Sequence, residues 1–287
     1  VSPLGSCYLP DASYREMNEW ALSSERQLEL AELKEKFAEA EGFDRLKPYL
    51  RGGFWRNFRV KYAELNEMYT RMLHVSNRLQ SLEETGVDAE DLPALHEART
   101  ELYRAQCNCP YWHGAFGGLY LPHLRNAIYK HLISADTLLE KITHRDANWL
   151  AVEVGDFNLD ARKEIRMASN RLVCYLAPAQ GGHLYELDVR GAKHNLLATL
   201  DRRPEPYHDI IRQAAIEQKQ GSQNGEDIGK IHNAVRFKQP GLEKKLQYDH
   251  TPRKSLVDHF FQPGVDLETV IQGGGEVGDF VQGVYLS

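Results

Sequence analysis

One stretch concentrates side chains with chemical use: Cys107-Asn108-Cys109-Pro110-Tyr111-Trp112-His113-Gly114-Ala115-Phe116-Gly117-Gly118-Leu119-Tyr120. A Trp beside a His suits a sugar, because the indole stacks on the apolar ring face while the imidazole bonds a hydroxyl. The same residues also suit a buried aromatic loop whose glycines let the next helix start tightly. Residue types alone leave both readings open. Cys107, Cys109 and His113 fit a zinc site poorly, since cysteine ligands are usually two to four residues apart and a fourth ligand is needed. Buried thiols are the simpler reading.

A second set is Asp156, Asn158 and Asp160, followed by Glu164. Oxygen side chains at alternate positions match the first half of a calcium loop, where a hard cation gathers several oxygens. Ala161 stands where the sharp turn wants glycine, and Met167 stands at the twelfth position. A structural calcium and a plain polar turn between strands are the two expectations here. No cofactor is required by any motif. Gly52-Gly53 and Gly117-Gly118 lack the Lys-Ser/Thr of a phosphate loop, and no Gly-x-Ser-x-Gly elbow occurs. His208, His232, His250 and His259 do not assemble into a site by spacing. A pair of catalytic carboxylates cannot be picked from 41 acidic residues.

The elements that would position these groups fall into two kinds. Ser13 and Glu16 fit a capping box, and a helix is expected over Ser24 to Glu41 with Leu30, Leu33 and Phe37 on its stripe and Gly42 as its stop. After Gly52-Gly53, a long helix is expected from Phe54 to Leu82. Val60, Ala63, Met68, Met72, Val75, Leu79 and Leu82 form its apolar stripe, and Lys61, Glu64, Glu67 and Arg71 are interleaved. Further helices are expected over Leu92 to Ala105 and from near Gly118 to Ser134. Beyond Ile142 the runs become short and β-branched or aromatic: Trp149 to Val154, Arg171 to Leu176, His183 to Asp188 and Asp279 to Leu286. Glu205 to Gln220 reads as a helix and Gln220 to Asp227 as a loop. The expected fold is a multidomain α and β chain: a helix bundle over 1–143, then an incomplete, mainly antiparallel β-sandwich over 144–287.

Composition narrows the partners. A net charge of -6 disfavours nucleic acid, which needs clustered Lys and Arg, and no apolar run reaches the ~20 residues of a membrane span. Four cysteines supply no disulfide framework and suit a reducing compartment, so a cytoplasmic protein is expected.

Several blocks in a fixed order carry a resemblance. They are Tyr8-Leu9-Pro10 with Ser13-Tyr14-Arg15-Glu16-Met17 and Trp20, Arg51-Gly52-Gly53-Phe54-Trp55-Arg56-Asn57-Phe58 with Lys61-Tyr62, and Tyr111-Trp112-His113-Gly114 to Leu121 with His123-Leu124-Arg125. Pro178, Gly181-Gly182, Glu186-Leu187-Asp188, Arg202-Arg203, Tyr207-His208, Tyr248-Asp249, Asp258-His259-Phe260 and Gly278-Asp279-Phe280 continue the series. The chain resembles the non-barrel part of glycoside hydrolase family 57, nearest its α-amylase and 4-α-glucanotransferase branch. The resemblance implies retaining cleavage of α-1,4-glucan by two carboxyl groups on an N-terminal barrel, which this chain lacks, so no catalytic residue is expected here. It also implies a partner barrel in the same polypeptide and an α-glucan or maltooligosaccharide as ligand. Trp112 would face that ligand, His113 would bond a hydroxyl, and Tyr111 and Asn108 would support them. A non-catalytic glucan-binding or scaffolding module is the alternative.

Overall fold

The computed structural model describes residues 5, 15–112, 117–221 and 241–285. Helices come first: α1 (Arg15–Trp20), α2 (Ser24–Lys36), α3 (Phe43–Leu46), α4 (Trp55–Lys61), α5 (Ala63–Thr85), α6 (Leu92–Ala105) and α7 (Pro122–Thr143). An antiparallel meander follows, with β1 (Leu150–Gly155), β2 (Glu164–Ser169), β3 (Leu172–Ala177), β4 (His183–Val189) and β5 (His194–Asn195) neighbouring one another in chain order. Helices α8 (Pro206–Gly221) and α9 (Leu267–Ile271) lie beyond it. None of the described helices is long and apolar enough to cross a membrane.

Contacts divide the chain into two compact units, residues 1–61 with 201–249 and residues 62–200 with 250–287. The expected boundary near residue 143 falls within the second unit, where buried ion pairs bond α5 and α7 to β2 and β4.

In the first unit, the Gly53 N–H donates to the Asn18 carbonyl on α1 at 2.7 Å, and a Cβ on Gly52 would lie 2.2 Å from the same oxygen. Glycine is what lets the chain pass α1 so closely. Lys61 and Glu205 form a buried pair at 3.2 Å. Helix α2 ends at Lys36, short of the expected Glu41, where the Phe37 N–H closes the last turn on the Leu33 carbonyl. It buries no residue, and Leu33 and Phe37 are exposed, so its expected stripe forms no core. The Ser13 cap, the Tyr8-Leu9-Pro10 block, His232 and the loop over 222–227 lie outside the described residues.

The single helix expected over 54–82 is replaced by α4, which ends the first unit's segment, and α5, which belongs to the second, because Tyr62 is extended (φ −121°, ψ 92°). The Tyr62 ring is fully buried and meets Tyr120 edge-on at 6.0 Å. Burying that ring breaks the helix and resets its phase, which leaves Val60 85% exposed. Helix α5 then buries Leu65, Met68, Arg71, Val75 and Leu79. Arg71, expected among the residues interleaved with the stripe, is thus itself buried. Helix α6 runs as expected, and α7 begins at Pro122 after a 3₁₀ turn over Gly118–Tyr120, as proline favours a first turn.

The expected strands near 150, 172 and 183 are present, whereas β2 was not foreseen. A bulge in β4 sets Tyr175 opposite Glu186 and Leu176 opposite Leu184, so Tyr185 and Glu186 both turn inward. The inward face carries Glu164, Arg166, Tyr175, Glu186 and Asp188, all buried, with a small apolar core of Ala168, Val173, Tyr175, Ala177 and Tyr185. The opposite face carries Leu150, Val152, Val154 and Leu172, exposed, with Ile165, Met167, Cys174, Leu176, Leu187 and Val189 half-buried. No second sheet covers it among the described residues. Phe280–Gln282 is a 3₁₀ turn where a strand was expected over 279–286, and Leu286 lies outside the described residues.

Candidate functional site

The aromatic loop is built from its ends inward. Helix α6 closes at Ala105, and a 3₁₀ turn, Cys109–Tyr111, follows with Pro110 as its second residue. Tyr111 is buried and its hydroxyl donates to the Ala105 carbonyl at 2.9 Å, with burial pushing the phenol well above its usual range. Trp112 follows in extended backbone (φ −130°, ψ 158°) and is half-buried. Its indole Nε1–H donates to Asn108 Oδ1 at 3.0 Å, its backbone N–H to the Cys109 carbonyl at 3.2 Å, and its own carbonyl accepts from the Leu119 N–H at 2.5 Å. Gly118 has a φ of +33°, and a Cβ there would lie 1.6 Å from the Trp112 carbonyl oxygen, so only glycine fits. Asn108 is exposed and braces the indole, while Tyr111 supports the turn from beneath. His113 and residues 114–116 lie outside the described residues. Cys107 and Cys109 are free and exposed, not the buried thiols expected.

The acidic turn spends its oxygens on amides. Asp156 accepts from the Asp160 and Ala161 N–H groups, both at 3.0 Å, Asn158 Oδ1 accepts from Asp160 N–H at 2.9 Å, and Asp160 accepts from Arg162 N–H at 2.8 Å. Leu159 and Ala161 both take positive φ, 60° and 68°, to close it. Glu164 belongs to β2, and its carboxylate reaches back to the Phe157 and Asn158 N–H groups at 2.8 and 3.2 Å. Burial pushes Glu164 up to about 7, against those two hydrogen bonds. Asp156, Asn158, Asp160 and Glu164 therefore make a self-capped turn. Among the described residues the one trio of acidic, imidazole or thiol ligands gathered within 4.8 Å is Asp88, Glu90 and Asp91. Arg145 already pairs with all three.

The densest charge cluster lies elsewhere, and spacing did not point to it. Arg71 Nε donates to Glu186 Oε1 at 2.9 Å, and Arg71 Nη2 lies 3.3 Å from Asp188 and 3.2 Å from Asp136. Arg78 reaches Asp136 and Glu140, Arg166 reaches Glu140 and Glu153, and Arg190 reaches Asp136 at 2.9 Å. Burial opposes the charge on Asp136, but Arg71, Arg166, Arg78 and Arg190 outweigh it and hold its carboxyl well below the usual range. Glu186 moves the other way: burial, then the charge of Asp188, pushes it well up. His74 beside them is kept neutral, lowered to about 3 by burial and by Arg71 and Arg166. Perturbed groups often mark active sites, but Asp136 and Glu186 are closed to solvent. The cluster joins α5, α7, β2 and β4.

Residues 53–139 match the family model described as the alpha-amylase/4-alpha-glucanotransferase middle domain, and residues 156–287 match the C-terminal domain of the same family. The chain belongs to this family. Among its relatives, alpha-amylase 1 of Dictyoglomus thermophilum is 40% identical over 93% of this chain and 36% of its own length. The 4-alpha-glucanotransferase of Thermococcus kodakarensis is 35% identical over 99% of this chain and 39% of its own. The crystal structure of 4-alpha-glucanotransferase from Thermococcus litoralis superposes with a TM-score of 0.73 at 32% identity, over 96% of this chain and 36% of that one. The chain thus spans less than two-fifths of the length of these relatives. Within the α-amylase/4-α-glucanotransferase frame, the Trp112 loop lies in the middle-domain match and the acidic turn opens the C-terminal match.

Proposed function

We propose that this chain is the non-barrel part of a retaining enzyme acting on α-1,4-glucan, an α-amylase or a 4-α-glucanotransferase, and that it supplies part of the substrate-binding wall. The catalytic carboxylates then sit on a barrel of the same polypeptide outside this chain. Trp112 stacks on a glucose ring, Asn108 fixes its indole, Tyr111 supports the turn, and His113 bonds a sugar hydroxyl. The observation that carries this reading is the state of Trp112. The residue is half-buried while its N–H, its carbonyl and its indole nitrogen are each hydrogen-bonded. An aromatic ring serving the core alone would be enclosed, as Tyr111 is; one serving a ligand needs an open face and a fixed orientation. Whether water or a sugar hydroxyl then attacks the covalent intermediate separates hydrolysis from transfer, and the relatives carry both names.

Trp112→Ala in the full-length protein is expected to cost about 1–3 kcal/mol of sugar binding, taking aromatic stacking as the model. Oligosaccharide kinetics measure it, and an unchanged KM removes the loop from the substrate site. The apolar face of the sheet favours a second reading, a non-catalytic module that holds glucan or serves as scaffold. Calorimetry of this chain with maltoheptaose separates the two. Clear affinity supports an independent glucan module, whereas the enzyme reading expects little without the opposing wall.

A further inference from the structure

The Trp112 carbonyl is held by the Leu119 N–H, and Leu119 is itself held from further along the chain. Arg125, in the first turn of α7, is buried and donates from Nη1 to the Leu119 carbonyl at 2.7 Å. The other side of the same guanidinium faces the Ala198 carbonyl, at 3.2 Å from Nη2 and 3.4 Å from Nε. One planar fork therefore clamps the far end of the aromatic loop to the segment after β5. Residue 119 passes that clamp on, since its carbonyl accepts from Arg125 and its N–H, in the adjoining peptide, donates to the Trp112 carbonyl. Resting on the proposed role of Trp112 as a glucan contact, we infer that Arg125 is a positioning residue that sets the orientation of Trp112 toward the sugar. Lysine cannot replace it. A single ammonium on a flexible stem lacks the fixed fork needed to span two carbonyls on opposite sides.

The test is Arg125→Lys in the full-length protein, made alone and together with Trp112→Ala, with 5-fluorotryptophan incorporated for ¹⁹F NMR. The Trp112 resonance, assigned by its loss in Trp112→Phe, is expected to shift or broaden in Arg125→Lys while those of Trp20, Trp55 and Trp149 stay in place. KM for maltoheptaose is expected to rise about threefold to tenfold with kcat within about twofold, and the lysine is expected to add nothing in the Trp112→Ala background. If Arg125→Lys does not fold, Gly118→Ala displaces the same Trp112 carbonyl and is expected to give the same KM-selective pattern. An unmoved resonance with unchanged KM overturns the inference, as does a KM effect of the lysine that persists without Trp112. A moved resonance with KM unaffected by either Arg125→Lys or Trp112→Ala overturns the glucan role of Trp112 itself, and Arg125 is then only the anchor of a loop.

Discussion

The two faces of the β1–β4 sheet differ in the opposite sense from most half-buried sheets. The face packed against α5 and α7 carries Glu164, Arg166, Glu186 and Asp188, and the open face carries Leu150, Val152, Val154 and Leu172. A charged interior is held by directional contacts, each arginine matched to named carboxylates, so it specifies register and the seating of the helices. An apolar face specifies nothing until something covers it, and a patch of this kind marks a surface built to be covered. The inner face determines how this unit is assembled; the outer face stays apolar and uncovered among the described residues.

The largest expected effect tests the inner face. Arg71→Met leaves Asp136, Glu186 and Asp188 without their shared cation, and denaturant unfolding should show a loss of about 3–5 kcal/mol. A loss below about 1 kcal/mol would mean that the remaining arginines suffice and the face is less specific than its contacts imply. Val152→Lys tests the outer face. In this chain it is expected to change stability by no more than ~0.5 kcal/mol, because the side chain is already exposed. In the full-length protein a covered face would turn that change into a cost of about 1–3 kcal/mol, so equal effects in both would show an uncovered face.

A smaller effect sharpens the inner face further. Glu164 has its carboxyl raised to about 7, above the range near 4.3 expected when unfolded. The folded state therefore keeps the proton longer. The associated stability is fully present below about pH 4 and is lost as pH rises through 7. Glu164→Gln keeps an acceptor for the Phe157 and Asn158 amides and removes that loss. The variant is expected to be more stable by about 1–2 kcal/mol at pH 8 and equal at pH 4 in thermal unfolding. A parent protein whose stability does not fall between pH 5 and 8 would break this account.

Much of the local structure was legible. Apolar spacing located α6, and alternation located β4. The break at Tyr62 was not legible, because only the pocket beside Tyr120 makes it worth ending a helix there. Strand β2 was not legible for a related reason: Glu164 reads as the end of an acidic turn, and only its packing inside the unit reveals a strand there. In β4, His183-Leu184-Tyr185-Glu186-Leu187-Asp188 read correctly as a half-buried strand, but the buried side is the polar one. In the aromatic loop, Trp112 stood out by residue type and Asn108 and Tyr111 only through the resemblance, while the close approach of Gly118 to the Trp112 carbonyl and the Arg125 fork depend on residues six positions or more away.

Residue order alone determined that helices come before an antiparallel sheet, since the apolar period changes from 3.6 to 2 near residue 145 and period is a local property. It also determined the family, through blocks spread along the whole length. Only tertiary structure decided which side of each element is inside. Burial of a charge depends on whether an opposite charge from a distant segment meets it, and no window of sequence contains both Arg71 and Glu186.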